Sequence, residues 1–568
     1  MVGGAAGDGT FLSGNILART LNREGFYVFA TNEYLSVIRG GYQWYLVRAS
    51  NDEVYSQLSS IDLLIALNDD AVIRHYKRLK KEGLILVDEK DIERTNLKIS
   101  ENLLVKIPLS RFVKEVKGLR VMRNLAALGA AVALLNLKLD ILLSVIRDVF
   151  SERRHVVEVN VTLAKKGYEY IKKKEQRSLL KNLDVHGKSK ERVFVTGNEA
   201  VGLGALKAGL GLYVAYPITP ASPLLHFLAK LQREYNIIVL QPESEIAAIN
   251  IAIGAAYAGV KSMVGTSGAG FSLMTEALGL AAMSETPLVI MLAQRPGPST
   301  GMPTFTSQGD LRFVLHASQG EFPRVVIAPG DVEEAFYLTI KSFNIAWKYQ
   351  VPVIILMDKY LAESGKTAFL DENKVVVENG KIIRDFYNRN APYRRYELVE
   401  DGISPMAIPG TKGAIVKANS TEHDEWGFVT TDPDKVVRMV DKRFKKLSLL
   451  EGEMYTSKPV KTYGRASEVV MLTWGSVKGP ALEALRILRD EGITIGLVHV
   501  MWLSPFPANI LRGILRGKRI ILLENNKTGL FNSLLREHLF IDAHYKILKY
   551  DGRPFYPEEI VEEVKKVV

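Results

Sequence analysis

The sequence predicts an α/β protein of several domains, and three observations carry that prediction. Short runs of Val, Ile, Leu and Phe, such as "SIDLLIALND" and "PLVIMLAQ", alternate with helical stretches over most of the chain, which is how parallel strands covered by helices read. At 568 residues the chain exceeds one ordinary core; at about 150 residues per domain, three or four units are expected. Between 190 and 370 the spacing of strand candidates fits a doubly wound sheet with a helix after most strands.

The N-terminal unit, 1–185, opens on "MVGGAAGDGTFLSGNILARTLNREGFYVFATNEY". A glycine-rich loop leads into a helix with apolar Leu12, Ile16, Leu17 and Leu21, then the strand-like "FYVFA". This is a nucleotide-type βα unit whose leading strand is truncated to Met1 and Val2. "SIDLLIALND" and "GLILVDE" read as parallel strands separated by the helix "AVIRHYKRLKKE", with alternation expected to about residue 180. Residues 171–192 are basic and polar without an apolar stripe, a linker. The second unit, 190–370, has strand candidates "RVFVTG", "LYVAYP", "NIIVLQP", "KSMVGTS", "PLVIMLAQ", "RVVIAPG" and "PVIILMD". Residues 371–450 dissolve into polar loops, a length that is usually functional or wraps a neighbour. The last unit, 451–568, returns to α/β with "EVVMLTWGS", a helix to Asp490, "TIGLVHV" and "RIILLEN".

Composition narrows the function classes. With 47% hydrophobic and 24% charged residues the chain is globular. No apolar run reaches the ~20 residues that span a bilayer, and the basic-then-apolar order of a signal peptide is missing, so a soluble cytoplasmic protein without membrane contact is expected. Cysteine is absent, which excludes disulfides, a thiolate nucleophile and cysteine-ligated zinc or iron–sulfur clusters in this chain. Any redox metal would sit on another subunit, and no metal site is assigned here. A formal charge of +11 suits an acidic partner, and no nucleic-acid motif is read.

Four stretches of the second unit carry candidate chemistry. In "AYPITPASPLLHFLAK" (215–230), Pro217 and Pro220 fix the backbone on both sides of Thr219. Pro220 is predicted to start a helix with Thr219 as its N-cap. The hydroxyl and free amides there suit a carboxylate or phosphate, with an ordinary capped helix as the alternative. In "QPESEIAAINIAIGAAYAG", Glu243 and Glu245 open a helix that reads as buried on nearly every face. Glu245 therefore needs a partner, such as a heterocycle nitrogen, or simply complements the helix dipole. "GTSGAGFSLMTEAL" is a small-residue loop that lets a ligand approach the backbone. "MLAQRPGPSTGMPTFTSQGDL" puts Arg295 at the carboxyl end of a buried strand, followed by Ser299, Thr300 and Thr306. The guanidinium fork matches an anionic substrate, with a surface salt bridge as the alternative.

Taken in order, "YPITP", "ESE" before the Ala/Gly helix, "TSGAGFSLM" and "QRPGPSTGMPT" resemble the α subunit of the 2-oxoacid:ferredoxin oxidoreductases, thiamine-diphosphate enzymes that split 2-oxoacids oxidatively. The likeness continues through "PGTKGAIVKANSTEHDEWG" and "VMWLSPFP", and the first unit resembles the γ subunit, fused ahead of α in some members. The resemblance implies a Rossmann-like γ-type domain at 1–185, a pyrimidine-type thiamine-diphosphate-binding domain at 190–370, a connecting segment at 371–450 and a transketolase-C-like domain at 451–568. It implies that Glu245 binds the cofactor's aminopyrimidine and acts in catalysis. Thr219 would lie near substrate and thiazolium, and Arg295 would hold the substrate carboxylate with help from Thr300. It further implies a separate β subunit carrying Mg²⁺ and a [4Fe–4S] cluster, coenzyme A as co-substrate, acyl-CoA and CO2 as products, and ferredoxin as electron acceptor. Whether pyruvate, 2-oxoglutarate or several 2-oxoacids are used stays open.

The N-terminal loop allows rival readings. Gly7-Asp8-Gly9 with Asn32 downstream mimics the Asp/Asn pattern that holds Mg²⁺ in thiamine enzymes. The order G-x-x-G-x-G over Gly4–Gly9, with Glu33 as a ribose-binding acid, resembles a shifted dinucleotide fingerprint. A structural or coenzyme A-facing role is expected instead. A nicotinamide-dependent dehydrogenase and a non-catalytic docking subunit with a decayed thiamine fold are the alternatives; intact Thr219, Glu245 and Arg295 argue against the latter.

Overall fold

A computed structural model describes residues 1–36, 40–95, 97–175, 179, 192–387 and 391–568. It divides into two compact units. Most of the linker read at 171–192 lies outside the described residues; 171–174 close the helix Arg154–Lys174.

The first unit comprises Met1–Val195, Ser364–Phe369 and Tyr556–Glu559. Its strands are β1 (Val2–Ala5), β2 (Tyr27–Tyr34), β3 (Tyr42–Ser50), β4 (Ile61–Ala66), β5 (Leu79–Asp88), β6 (Leu104–Ile107) and β7 (Arg192–Thr196). They form a sheet in the order β6-β5-β4-β1-β3-β2, then the strand Gly365–Phe369, then β7. "RVFVTG", expected in the second sheet, is therefore an outer strand of this one. The leading strand is not truncated: β1 is a complete inner strand, and the Met1 ammonium donates to the Leu63 carbonyl at 2.7 Å. The helix expected over 71–82 gives way to β5 at Leu79, because Leu84–Val87 need the strand and Leu79–Gly83 extend it. Alternation stops at β6, after which only helices follow up to Lys174. Gly129 and Gly167 let the helices Arg123–Leu134 and Arg154–Lys174 meet backbone to backbone, since a Cβ at either would collide with the carbonyl of Ala164 or Ala126.

The second unit comprises Thr196–Glu363, Leu370–Phe555 and Ile560–Val568. Its main sheet is built from β8 (Leu212–Val214), β9 (Ile238–Leu240), β10 (Ser262–Thr266), β11 (Leu288–Gln294), β12 (Val325–Ile327) and β13 (Pro352–Asp358). The order is Trp502–Ser504, β12, β13, β11, β10, β8, β9, all parallel except the first. β10, β11 and β13 are buried along their whole length, as expected for strands covered on both faces. A five-stranded sheet, ordered Val460–Gly464, Gly496–Val500, Val469–Trp474, Arg519–Glu524, Tyr545–Leu548, completes the unit. One apolar core joins the two sheets through Leu292, Leu356, Leu472, Val498 and Leu522.

The loop-rich reading of 371–450 needs correction. A 24-residue helix, Pro433–Thr456, runs across the expected boundary at 450/451. Its buried face carries Met439, Lys442, Arg443, Lys446, Leu450 and Met454. The helical spacing is there, but half the inner positions are cations, so no apolar stripe announces it. Lys442 and Lys446 grip the buried Glu285 carboxylate at 2.6 Å each, and the Arg395 guanidinium donates to the Glu285 carbonyl at 2.7 Å. No helix among the described residues is long and apolar enough to cross a membrane.

Candidate active site

Thr219, Glu245 and Arg295 stand on the segments that follow β8, β9 and β11, on the carboxyl side of the sheet, where an open parallel sheet leaves its ligand crevice. The chain leaves β8 through Tyr216–Thr219, and a cis Thr219–Pro220 bond follows. Thr219 is not the helix N-cap. The amides of Ala221 and Ser222 bond back to the Ile218 carbonyl at 2.9 and 3.0 Å, closing a turn that takes up Pro220. The helix Ser222–Leu231 starts after it, with Ala221 as N-cap and Pro223 in the first turn. What Thr219 supplies is its carbonyl, which accepts from Arg295 Nη1 at 2.8 Å. Arg295 stands one residue past β11, as expected. No carboxylate among the described residues lies within salt-bridge distance of it, and its Nε is shut off from solvent without a partner. Thr300 lies on the exposed tip of the loop that follows and makes no hydrogen bond to a described residue.

Glu245 opens the helix Glu245–Tyr257, with Ser244 as N-cap accepting from the Ala247 amide at 3.2 Å. Its side chain is only 6% exposed, yet no described residue hydrogen-bonds its carboxylate. Among the described residues, the in-chain partner expected for a buried acid is missing. The carboxylate lies against Gly270 at the start of the neighbouring helix Gly268–Met283. A Cβ there would collide with Thr266 Oγ1 and stand 2.8 Å from Glu245 Oε1. The helix itself is not buried all round: Ile246 is 52% exposed, as is Leu273 on the neighbouring helix. The edge strand β9 adds Ile238 at 64%.

Three further residues complete the crevice. Gln294, fully buried, donates to the Met357 carbonyl at 3.2 Å and accepts from the Asp310 amide at 2.9 Å. Asp310 presses its carboxylate against Gly268, where any Cβ would collide with it, and its Oδ2 has neither solvent nor donor. Burial pushes the Asp310 pKa up to about 6 against the attraction of Arg295. Ser267, the N-cap of the helix Gly268–Met283, has a buried hydroxyl without a partner. The loop that joins Arg295 to Asp310 is pinned by Thr306, whose amide donates to the Gly552 carbonyl at 2.8 Å, and by Gln308, which bonds to Asn525 and to the Trp474 carbonyl. The run "SQGDL" was the available signal for Gln308 and Asp310, but only folding shows which strand ends it meets.

The glycine-rich loop of the first unit satisfies itself. Asp8 Oδ2 accepts from the Ala5 amide at 3.0 Å and lies 3.4 Å from Asn68 Nδ2. Asn32 and Glu33 lie on β2, paired with Tyr45 and Trp44 of β3, and β3 separates them from β1. The loop and the two side chains therefore do not form the adjacent-strand arrangement of a dinucleotide fingerprint.

Comparison with known proteins agrees with this architecture. The family model for pyruvate flavodoxin/ferredoxin oxidoreductase, thiamine-diphosphate-binding, matches residues 203–442. Those for pyruvate ferredoxin/flavodoxin oxidoreductase and for pyruvate:ferredoxin oxidoreductase core domain II match 1–170 and 467–560. The 2-oxoacid:ferredoxin oxidoreductase subunit alpha of Saccharolobus solfataricus is 34% identical over 100% of this chain and 97% of its own. The 2-oxoglutarate synthase subunit KorA of Methanocaldococcus jannaschii is 31% identical over 65% of this chain and 97% of its own. Among solved structures, the 2-oxoglutarate:ferredoxin oxidoreductase of Magnetococcus marinus, with 2-oxoglutarate, coenzyme A and succinyl-CoA bound, superposes with a TM-score of 0.88 at 33% identity, covering 100% of this chain and 98% of its own. A whole-length relative at that identity and a solved structure that superposes over the whole chain make this chain an α-type subunit of the 2-oxoacid:ferredoxin oxidoreductase family.

Proposed function

We propose that this chain, with γ-type and α-type parts in one polypeptide, is the fused γ/α subunit of an enzyme that oxidatively decarboxylates 2-oxoacids with coenzyme A, giving acyl-CoA and CO2 and passing electrons to ferredoxin. The observation that carries the reading is Glu245, a buried carboxylate with no partner among the described residues and a glycine opposite it. Burying an ionisable group without a partner is costly, and the aminopyrimidine of thiamine diphosphate offers a ring nitrogen of the right polarity. The residues fit that ring: Gly268 and Gly270 keep the helix start free of side chains, and Glu245 presents free oxygens. Thiamine diphosphate supplies the carbanion-type chemistry that breaks the bond to the carboxyl carbon.

The chain's own residues do the rest. Glu245 holds the ring nitrogen and steadies its proton. Arg295, braced on the Thr219 carbonyl, receives the substrate carboxylate, with Thr300 closing from the loop tip. Arg295→Ala should lower kcat/KM by about 30-fold or more for every 2-oxoacid tested, since all share the carboxylate. Arg295→Lys should not restore it, because a point charge cannot make two parallel hydrogen bonds. A loss confined to one substrate would move Arg295 to the side-chain end of the pocket.

The exposed apolar side chains of Ile246, at the start of the helix that Glu245 opens, and of Leu273, on the neighbouring helix, fit contact with a β subunit that brings Mg²⁺, the diphosphate site and the [4Fe–4S] cluster, for which this chain has no cysteine. The charge of +11 suits an acidic ferredoxin, and the reading has the enzyme working in the cytoplasm. Purified alone, the chain should be colourless and inactive; co-expressed with its β subunit it should reduce ferredoxin with a 2-oxoacid and coenzyme A. A panel including pyruvate and 2-oxoglutarate identifies the substrate. Robust turnover by the lone chain would overturn the reading.

A further inference from the structure

Resting on the assignment of Arg295 to the substrate carboxylate, we propose that Gln308 is a positioning residue for Arg295: it ties the loop that follows Arg295 to the C-terminal five-stranded sheet. That sheet then helps to set where the guanidinium stands, although Arg295 itself follows a strand of the other sheet.

The loop runs from Arg295 to Asp310, and its two ends are locked together. Gln294, the last residue of β11, accepts from the Asp310 amide at 2.9 Å and donates to the Met357 carbonyl at 3.2 Å. Two residues before that junction, Gln308 is fully buried. Its amide donates to the Asn525 carbonyl at 2.8 Å, and its carbonyl accepts from Asn526 Nδ2 at 3.0 Å. In its side chain, Oε1 accepts from the Asn525 amide at 2.9 Å and Nε2 donates to the Trp474 carbonyl at 2.9 Å. Thr306 adds its amide to the Gly552 carbonyl at 2.8 Å. From Gly297 to Met302, by contrast, the loop is exposed. It is held at its base and open at its tip, where Thr300 lies.

The seat is prepared on the side of the C-terminal sheet. Asn525 and Asn526 follow the strand Arg519–Glu524. Glu524, fully buried, accepts from Trp474 Nε1 at 3.0 Å and from the Phe531 amide at 3.0 Å, and Asn526 Oδ1 accepts from the Gly529 amide at 2.8 Å. Trp474 thus holds Glu524 through its indole and Gln308 through its carbonyl. Two glycines with positive φ leave room for the loop. A Cβ at Gly475 would stand 2.9 Å from Gln308 Nε2, and one at Gly552 would stand 3.1 Å from Met302 and from Phe305. Burying a whole amide side chain is tolerated when its groups are paired, and every partner of Gln308 among the described residues belongs to the C-terminal sheet or its loops.

Arg295 needs this support because its own contacts underdetermine it. Among the described residues its guanidinium hydrogen-bonds only to the Thr219 carbonyl. Two parallel bonds to a carboxylate require the fork in one place and one orientation, and a misplacement of about 1 Å weakens them severely. The backbone on either side of Arg295 must therefore be fixed. β11 fixes it before, and the junction of Gln294, Asp310 and Gln308 fixes the loop after.

The test is steady-state kinetics of the assembled enzyme for wild type, Gln308→Met, Gly552→Ala, Arg295→Ala and the Gln308→Met/Arg295→Ala double variant, with KM measured separately for the 2-oxoacid and for coenzyme A. Gln308→Met keeps the volume and removes the side-chain bonds to Trp474 and Asn525. It should raise the 2-oxoacid KM by roughly 10-fold and leave the coenzyme A KM at its wild-type value. Gly552→Ala presses on Met302 and Phe305 from the sheet side. It should raise the same KM by roughly 3-fold, and it decides the matter if Gln308→Met does not assemble. In the Arg295→Ala background Gln308→Met should change the 2-oxoacid KM by less than about 2-fold, since both act through one group. If Arg295→Ala leaves the 2-oxoacid KM unaltered, the substrate assignment of Arg295 falls and this proposal with it. If Arg295→Ala raises it, three results overturn the proposal alone: variants that lose thermal stability but keep the wild-type 2-oxoacid KM, an equal rise in the coenzyme A KM, or a full Gln308→Met effect on top of Arg295→Ala.

Discussion

Glu245→Gln should cut turnover of the assembled enzyme by about 100-fold or more, the usual weight of a positioned acid–base group. The substitution preserves shape, and Glu245 gives up no hydrogen bond to a described residue, so the melting temperature of the isolated chain should stay within a degree or two of wild type. That separation is what makes the test sharp. A buried acid kept for the fold would show its loss in stability, whereas one kept for the cofactor should show it in turnover and in the exchange rate of the thiamine C2 proton. Unchanged turnover and unchanged exchange would remove Glu245 from the mechanism.

The largest expected effect on stability belongs to Glu285→Gln. Glu285 is fully buried and is the one carboxylate gripped by Lys442 and Lys446, with Arg395 beside it. Burial alone would raise its pKa, but the three cations outweigh that and hold it far below the usual carboxylate range. Removing the negative charge leaves three buried cations uncompensated, and breaking a buried pair in this way costs about 3–5 kcal/mol. The cost should appear as a large drop in the thermal midpoint, or as insoluble expression.

The converse change separates this account from general core damage. Lys442 is surplus: burial and the like charge of Lys446 push its pKa down to about 8 despite Glu285. Its folded pKa lies below its unfolded value, so its contribution to stability is present at high pH and is lost as pH falls through about 8. Lys442→Met should therefore be tolerated near neutrality and should rescue Glu285→Gln in part. A double variant less stable than Glu285→Gln alone would reject the charge-balance argument.

Most of the fold's vocabulary was legible in the sequence, because fully buried parallel strands announce themselves as apolar runs. β4, β8, β10, β11 and β13 all fall within the quoted candidates. What could not be read was any choice made by partners distant in the chain. "RVFVTG" is an equally good strand for either sheet, and only pairing decides that it joins the first. The helix Pro433–Thr456 hid because Lys442 and Lys446 are buried by virtue of Glu285, more than 150 residues upstream.

The site divides in the same way. The sequence by itself determined which chemistry-bearing residues exist: Glu245 at a helix start, Arg295 after a buried strand, a threonine between two prolines and no cysteine anywhere. Local spacing sets such features, since caps, turns and strand ends are made by residues close together in the chain. Only the tertiary structure decided that Thr219 offers its carbonyl to Arg295 and does not cap the helix, that Glu245 meets Gly270 and no partner among the described residues, and that Asp310 stands over Gly268. Those outcomes follow from the parallel strands β8, β10 and β11, whose carboxyl ends bring together groups that lie up to 91 residues apart between Thr219 and Asp310.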